Sequence, residues 1–136
     1  RDDYPGHRLL NAIEPGSYIA PHRHLDLAKD ETMVVLRGAL GLVVFDDAGR
    51  VTLTQKVGAG GTASAGSAAS TGTVLGIDIP HGTWHTVFAL EPGTVFLEAK
   101  SGPYLALTDA ERAPWPPAEN AAEAPAYLAG LRRLFP

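Results

Sequence analysis

Fifteen glycines and eleven prolines punctuate this 136-residue chain, about one residue in five. Each such residue costs a helix interior roughly 1 to 3 kcal/mol relative to alanine, so a helical bundle is excluded. Between the breakers stand short runs rich in apolar and β-branched residues, which is the pattern of strands. The runs are His7–Ile13, Thr32–Leu36, Leu40–Phe45, Arg50–Val57, Thr73–Ile79, Thr83–Leu90 and Thr94–Lys100. Asp46-Asp47-Ala48-Gly49 joins two of them and predicts a hairpin, and Pro92-Gly93 predicts a turn before the last.

The tail changes character. Pro114, Pro116 and Pro117 bracket Trp115 and end the strand region. From Glu119 to Phe135, Tyr127, Leu128, Leu131 and Leu134 follow helical spacing, with Pro125 in the first turn. Gly58 to Gly72 is almost wholly Gly, Ala, Ser and Thr and is expected to form a mobile loop. It has no Lys at a phosphate-binding offset and no helix pattern after it, so a phosphate cradle is not expected. A hydrophobic share of 45% with 19% charged residues describes a folded chain. One domain over residues 1–136 is expected, with a core over about 7–105 and a Pro-rich linker and helix over about 112–135.

A net charge of −4 offers no basic field for a phosphate backbone, so nucleic acid is not an expected partner. The absence of cysteine excludes disulfides, thiolate zinc sites and cysteine nucleophiles. No apolar run approaches the ~18 residues of a span, so no membrane partner is expected. The chain opens at Arg1, so further residues are expected before it. No secretory leader is visible, and a cytoplasmic location is the expectation.

Four of the five histidines fall in two tight clusters. In Pro21-His22-Arg23-His24, an extended backbone turns both imidazoles to one face, where they can hold one ion. Glu31 follows at the start of a strand. In Pro80-His81-Gly82-Thr83-Trp84-His85, the i, i+4 pair would suit a helix, but Pro80, Gly82 and the strand-like Thr-Trp-His-Thr-Val-Phe run argue against one.

Together these residues resemble the cupin family. Its first motif, G-x5-H-x-H-x(3–4)-E-x6-G, is met by Gly16, His22, His24, Glu31 and Gly38. Its second, ending P-x-G-x2-H-x3-N, is met by Pro80, Gly82 and His85. The spacer before Glu31 is longer than usual, Val74 stands where a Gly is expected, and Ala89 replaces the final Asn. Arg8-Leu-Leu-Asn11, Tyr18, Val-Leu-Arg-Gly38, Phe45-Asp-Asp-Ala-Gly49 and Glu98-Ala-Lys-Ser-Gly-Pro-Tyr104 further resemble small WbuC-type cupin metalloproteins, often encoded near surface-polysaccharide genes.

The resemblance implies an all-β, antiparallel jelly-roll barrel with a C-terminal α-helix, and a homodimer paired through its sheets. It also implies one divalent transition-metal ion (Zn, Fe, Mn or Ni) on His22, His24, Glu31 and His85. Three neutral imidazoles and a carboxylate suit such ions. His81 and Glu98 are the candidate proton-transfer residues. Arg8, Lys100 and Tyr104 are the candidate substrate-binding residues, with Asn11 and Arg37 as further possible anion contacts. For each, a bland alternative stands: a loop histidine at 81, a solvent-facing Glu98–Lys100 pair, and packing of Tyr104 on the terminal helix. The functions implied are a metal-dependent enzyme of isomerase, epimerase or lyase type on a small polar molecule such as a carbohydrate or sugar nucleotide, an iron-dependent oxygenase, or a non-catalytic metal-dependent binding protein.

Overall fold

The structure, a computed structural model, describes residues 3–60 and 72–135. The expected Gly/Ala/Ser/Thr loop falls mainly on residues 61–71, outside the described residues. Among the described residues seven strands form, in the order β1 (Gly6–Ile13), β2 (Glu31–Arg37), β3 (Ala39–Phe45), β4 (Val51–Gly58), β5 (Gly76–Ile79), β6 (Trp84–Ala89) and β7 (Thr94–Ser101). A 3-10 turn at Asp109–Glu111 and one helix, α1 (Ala124–Arg132), complete the order. The strands make two antiparallel sheets, β1-β7-β2-β5 and β4-β3-β6. No helix among the described residues is long and apolar enough to cross a membrane.

The core lies between the sheets. Met33, Val35 and Phe96 from one sheet meet Leu40, Leu42, Val57 and Val87 from the other. The three-stranded sheet is covered on its far side too. There Val43, Phe45, Trp84 and Phe88 receive Leu128 and Leu131 of α1. Burial on both faces explains why β3 reads as an unbroken apolar run and why every residue of β6 is buried. Burying a leucine such as Leu128 or Leu131 stabilises by about 1.5–3 kcal/mol. The Arg132 guanidinium ties the helix down by donating to the carbonyls of Pro15, Ala89 and Leu90.

The helix starts with Pro125 in its first turn, as its sequence predicts. Pro125 has no N–H to give the carbonyl of Ala121, so the helix cannot extend N-terminally, and isolated turns at Ala121 and Ala124 precede it. The fifth strand starts late. Val74 exchanges backbone bonds with Gly58 and Lys56 in a parallel bridge to β4 before the chain joins β2. At the β2–β3 connection Gly38 has φ +74, and a Cβ there would sit 2.5 Å from Thr94 Oγ1. That steric demand is the physical content of the motif glycine.

Candidate metal centre and its cavity

The site is built on a strand pairing that lies outside the named strands. His22 N–H donates to His85 O at 3.0 Å and His85 N–H donates to His22 O at 2.9 Å. This reciprocal pair sets the two imidazoles side by side, with ring centroids 4.6 Å apart. His24 falls on the same face two residues on, 5.5 Å from the His22 ring. Gly82 N–H donates to the His24 carbonyl, tying the first histidine segment to the turn before β6. Glu31, the first residue of β2, points inward and is 2% exposed.

Each of His22, His24 and Glu31 offers a ligand atom, all within 4.8 Å of one another. His85 adjoins them, with Nε2 3.0 Å from Glu31 Oε2. His22 Nδ1 lies 3.0 Å from Ala20 O and His85 Nδ1 lies 2.9 Å from Thr83 O. A carbonyl can only accept, so each Nδ1 carries its proton and each neutral ring keeps its Nε2 lone pair for an ion. Burial, and then the neighbouring His85, pushes the His22 pKa down to about 4, so the ring is neutral at pH 7. For Glu31 burial works upward, but the adjoining imidazoles of His24 and His85 and the Lys100 ammonium outweigh it, and the carboxyl is held well below its ordinary range.

The fit to a metal is tested by two atoms. His85 Nε2 and Glu31 Oε2 are both buried and make no hydrogen bond, although they stand 3.0 Å apart. A lone pair facing a carboxylate oxygen is unfavourable unless a cation lies beside both or the ring carries a second proton. A divalent transition ion on His22, His24 and Glu31, with His85 adjoining, satisfies them, so the residues fit the group.

Around this set the strand register builds a charged layer. Glu31 pairs with Lys100, and Lys100 pairs with His7 across β7 and β1. Lys100 Nζ donates to Glu31 Oε1 at 2.6 Å and lies 2.7 Å from Glu98 Oε1, while Asn11 Nδ2 donates to Glu98 Oε2 at 3.1 Å. Burial opposes the Lys100 charge, but Glu31 and Glu98 override it and raise its pKa. Glu98 and Lys100 thus face the barrel interior rather than solvent. Glu98 and Asn11 border an inner cavity of about 180 Å³ together with His22, Glu31 and His85.

A larger cavity of about 530 Å³ opens outside the histidines. Its walls include His22, His24, Lys100 and Tyr104 and, from the tail, Pro116, Pro117 and Glu119. Tyr104 is 56% exposed at this wall and stacks on the His7 ring at 6.0 Å and 7°. It does not pack on the terminal helix. Tyr18 Oη donates to Pro117 O, and Ala20 N–H donates to Glu119 Oε1, holding the tail over the site.

Two sequence candidates sit elsewhere. His81 does not line either cavity; its backbone N–H and its Nδ1 both lie 2.8 Å from Asp30 Oδ1 at the surface. The turn with Gly82 at φ +77 carries it away from the barrel. Arg8 follows His7 by one residue and so takes the opposite face of β1, exposed, with its guanidinium 5.5 Å from the Tyr4 ring. It borders only a shallow cleft at the sheet edge. Arg37 also lies away from the cavity, its guanidinium beside Gly93. Conversely, His7, Lys29 and Arg112 line the large cavity without having been singled out. The two-residue period linking His7 to Asn11 would have found the first. Lys29 and Arg112 lie in irregular segments, where no period applies.

Solved structures that match this fold include variants of Bacillus subtilis oxalate decarboxylase. One, with a tryptophan replaced by tyrosine, matches at 19% identity and a TM-score of 0.55, covering 79% of this chain and 24% of that one. Another, with a serine replaced by alanine, matches at 20% identity and a TM-score of 0.54, over the same shares. A third, from work on the Mn(II) centres of the enzyme, matches at 20% identity and 0.53, covering 75% and 22%. The chain has the cupin fold. It spans about a quarter of the length of these decarboxylase chains. A sequence family described as a domain of unknown function, DUF6016, matches residues 1–57 of this chain. No curated protein sequence matches.

Proposed function

We propose that this cupin is a metal-dependent enzyme that holds one divalent transition ion on His22, His24, Glu31 and His85 and acts on a small polar molecule. The observation that carries this reading is the buried His/His/Glu cluster, with its unpaired His85 Nε2 and Glu31 Oε2, set beside a cavity of about 530 Å³. Zn, Fe, Mn and Ni all suit the donors, and the Mn(II) centres of the decarboxylase neighbour make manganese the first to load. When bound, the ion supplies Lewis-acid polarisation of a substrate oxygen.

The chain's own residues supply the rest. Glu98, oriented by Asn11 and Lys100 at the inner cavity beside Glu31 and His85, is the proposed group to accept or return a proton at its carboxylate oxygens. Lys100 steadies negative charge next to Glu31, Tyr104 closes one wall, and the Pro116-Pro117 segment keeps bulk water from the histidines. The chemistry that fits is isomerisation, epimerisation or elimination on a carbohydrate or sugar nucleotide. The WbuC-type resemblance, with its link to surface polysaccharides, belongs to the same proposal. The partners proposed are this small molecule and a second copy of the chain, with neither nucleic acid nor membrane involved.

Elemental analysis of tag-free protein, purified without a metal column, tests the reading beside His22→Ala/His24→Ala. One transition ion per chain, lost in the double variant, is expected. No metal in the wild type, before or after reconstitution, overturns it.

A further inference from the structure

Lys29 is 7% exposed, and its ammonium donates to the carbonyl of Pro103 at 3.1 Å. Among the described residues no carboxylate pairs with it. A buried ammonium has three donors and a full charge, and one backbone carbonyl meets neither demand. Lys29 lines the large cavity, as do Lys100 and Arg112. The lone acid among its described lining residues is Glu119, and that carboxylate already accepts from Ala20 N–H. Beside Lys29, on the neighbouring residue of the same turn, Tyr104 covers His7, whose Nε2 is buried with no hydrogen-bond partner. Lys100 is neutralised by Glu31 and Glu98, but in this wall the Lys29 charge is met by a carbonyl alone and the His7 Nε2 by nothing.

We propose that the Lys29 and His7 wall is an oxyanion subsite, so that the molecule this cavity takes carries a carboxylate or phosphate group held there, with its remaining oxygens toward the histidine cluster. The proposal rests on the metal-site reading only for the second half of that statement. A point-charge ammonium accepts either anion, and the nearby Arg112 adds attraction at the mouth. The subsite explains why a lysine is retained where a methionine of similar shape would pack without an uncompensated charge.

The test is a melting-temperature titration of the full chain, as purified, with inorganic phosphate and with malonate, and with glycerol as a neutral control. Saturable stabilisation by at least one anion and none by glycerol is expected, and the preferred anion distinguishes a phosphate ester from a carboxylate ligand. Lys29→Met is expected to weaken the response by about ten-fold or more. Its melting temperature without anion is expected to equal or exceed the wild type, because the unpaired charge is gone. His7→Phe keeps the ring against Tyr104, removes the nitrogen, and serves should Lys29→Met fail to fold. No saturable response to either anion, or a response within two-fold of wild type in whichever variants fold, overturns the subsite. Metal content is measured on the same samples. Wild type that binds anion but takes up no metal, even on reconstitution, overturns the metal reading and leaves the subsite standing, and the converse result does the reverse.

Discussion

Glu31 is where stability and metal binding meet, and replacing it with Gln or Ala separates them. One oxygen meets His24 Nε2 at 2.9 Å and Lys100 Nζ at 2.6 Å; the other faces His85 Nε2 at 3.0 Å. A Gln in the same shape can place its carbonyl toward Lys100 and its amide N–H toward the His85 lone pair. The metal-depleted fold then loses a charge-assisted hydrogen bond, about 1.5–3 kcal/mol, and regains part through the new bond to His85. Lys100 keeps Glu98 at 2.7 Å, so its charge is not stranded. The expected loss for Glu31→Gln is about 1–2 kcal/mol, and for Glu31→Ala, which also leaves His85 and a cavity unfilled, about 3–5 kcal/mol. With a urea m-value of about 2 kcal/mol/M, the midpoints fall by about 0.5–1 M and 1.5–2.5 M. The assay is urea unfolding in EDTA, paired with competition titration of Mn(II) or Zn(II) in native protein. Metal affinity is expected to drop by at least ~100-fold in both variants, since even an outer-shell change costs about 10–100-fold. Wild-type affinity in Glu31→Gln would refute Glu31 as a ligand. Equal stability of the two variants in EDTA would refute the hydrogen-bond assignment.

Leu131→Ala, which empties part of the interface between α1 and the three-stranded sheet, is expected to cost about 2–5 kcal/mol in thermal or urea unfolding while metal content stays at wild-type level. Glu111 accepts from the backbone of Leu25 and Thr108 and from the Thr108 hydroxyl, which holds its pKa down at about 2. Its stabilisation is therefore complete above its ordinary carboxylate range and lost as pH falls toward 2, and Glu111→Gln should flatten that part of the acid-unfolding curve. Leu10 is 68% exposed on the outer face of the four-stranded sheet, in register with Leu97. If that face joins two copies, Leu10→Lys shifts the mass measured by light scattering from dimer to monomer, and an unchanged mass excludes this face as the interface.

The strands were legible because breakers and β-branched runs alternate so regularly. Each expected run holds a strand, and the element ends have local causes. Pro125 sets the helix start where the sequence expects it. Val74 delays the fifth strand by bonding to β4 first. Of the metal candidates, His22 and His24 were readable from the two-residue period, and Glu31 from its place at a strand start. What the sequence could not show was which face of β7 turns inward. The same period serves both answers for Glu98 and Lys100, and only the pairing of Lys100 with Glu31 and His7 decides it. For His81 the structure favours the loop reading over the proton-transfer one, for the converse reason. Proximity to His85 in sequence says nothing once Gly82, at positive φ, reverses the chain between them.

The two parts of the cavity are held by different means, and this bears on how such a protein can change its ligand. The histidines ride on reciprocal backbone bonds between residues 22 and 85, and Glu31 on a central strand flanked by β5 and β7. Those supports are shared with the core, so altering them disturbs the fold. Lys29, Tyr104 and the Pro116-Pro117 wall lie on turns and a tail held by few contacts, such as Tyr18 to Pro117, Ala20 to Glu119 and Lys29 to Pro103, whereas Arg112 is bridged to His22. Side chains there can be exchanged at little cost to the barrel. The proposed metal site is thus held by the sheets and the proposed anion wall by the irregular segments, and the Lys29 and Glu31 variants should fail in separable ways: one in anion response with metal retained, the other in metal with the anion wall intact.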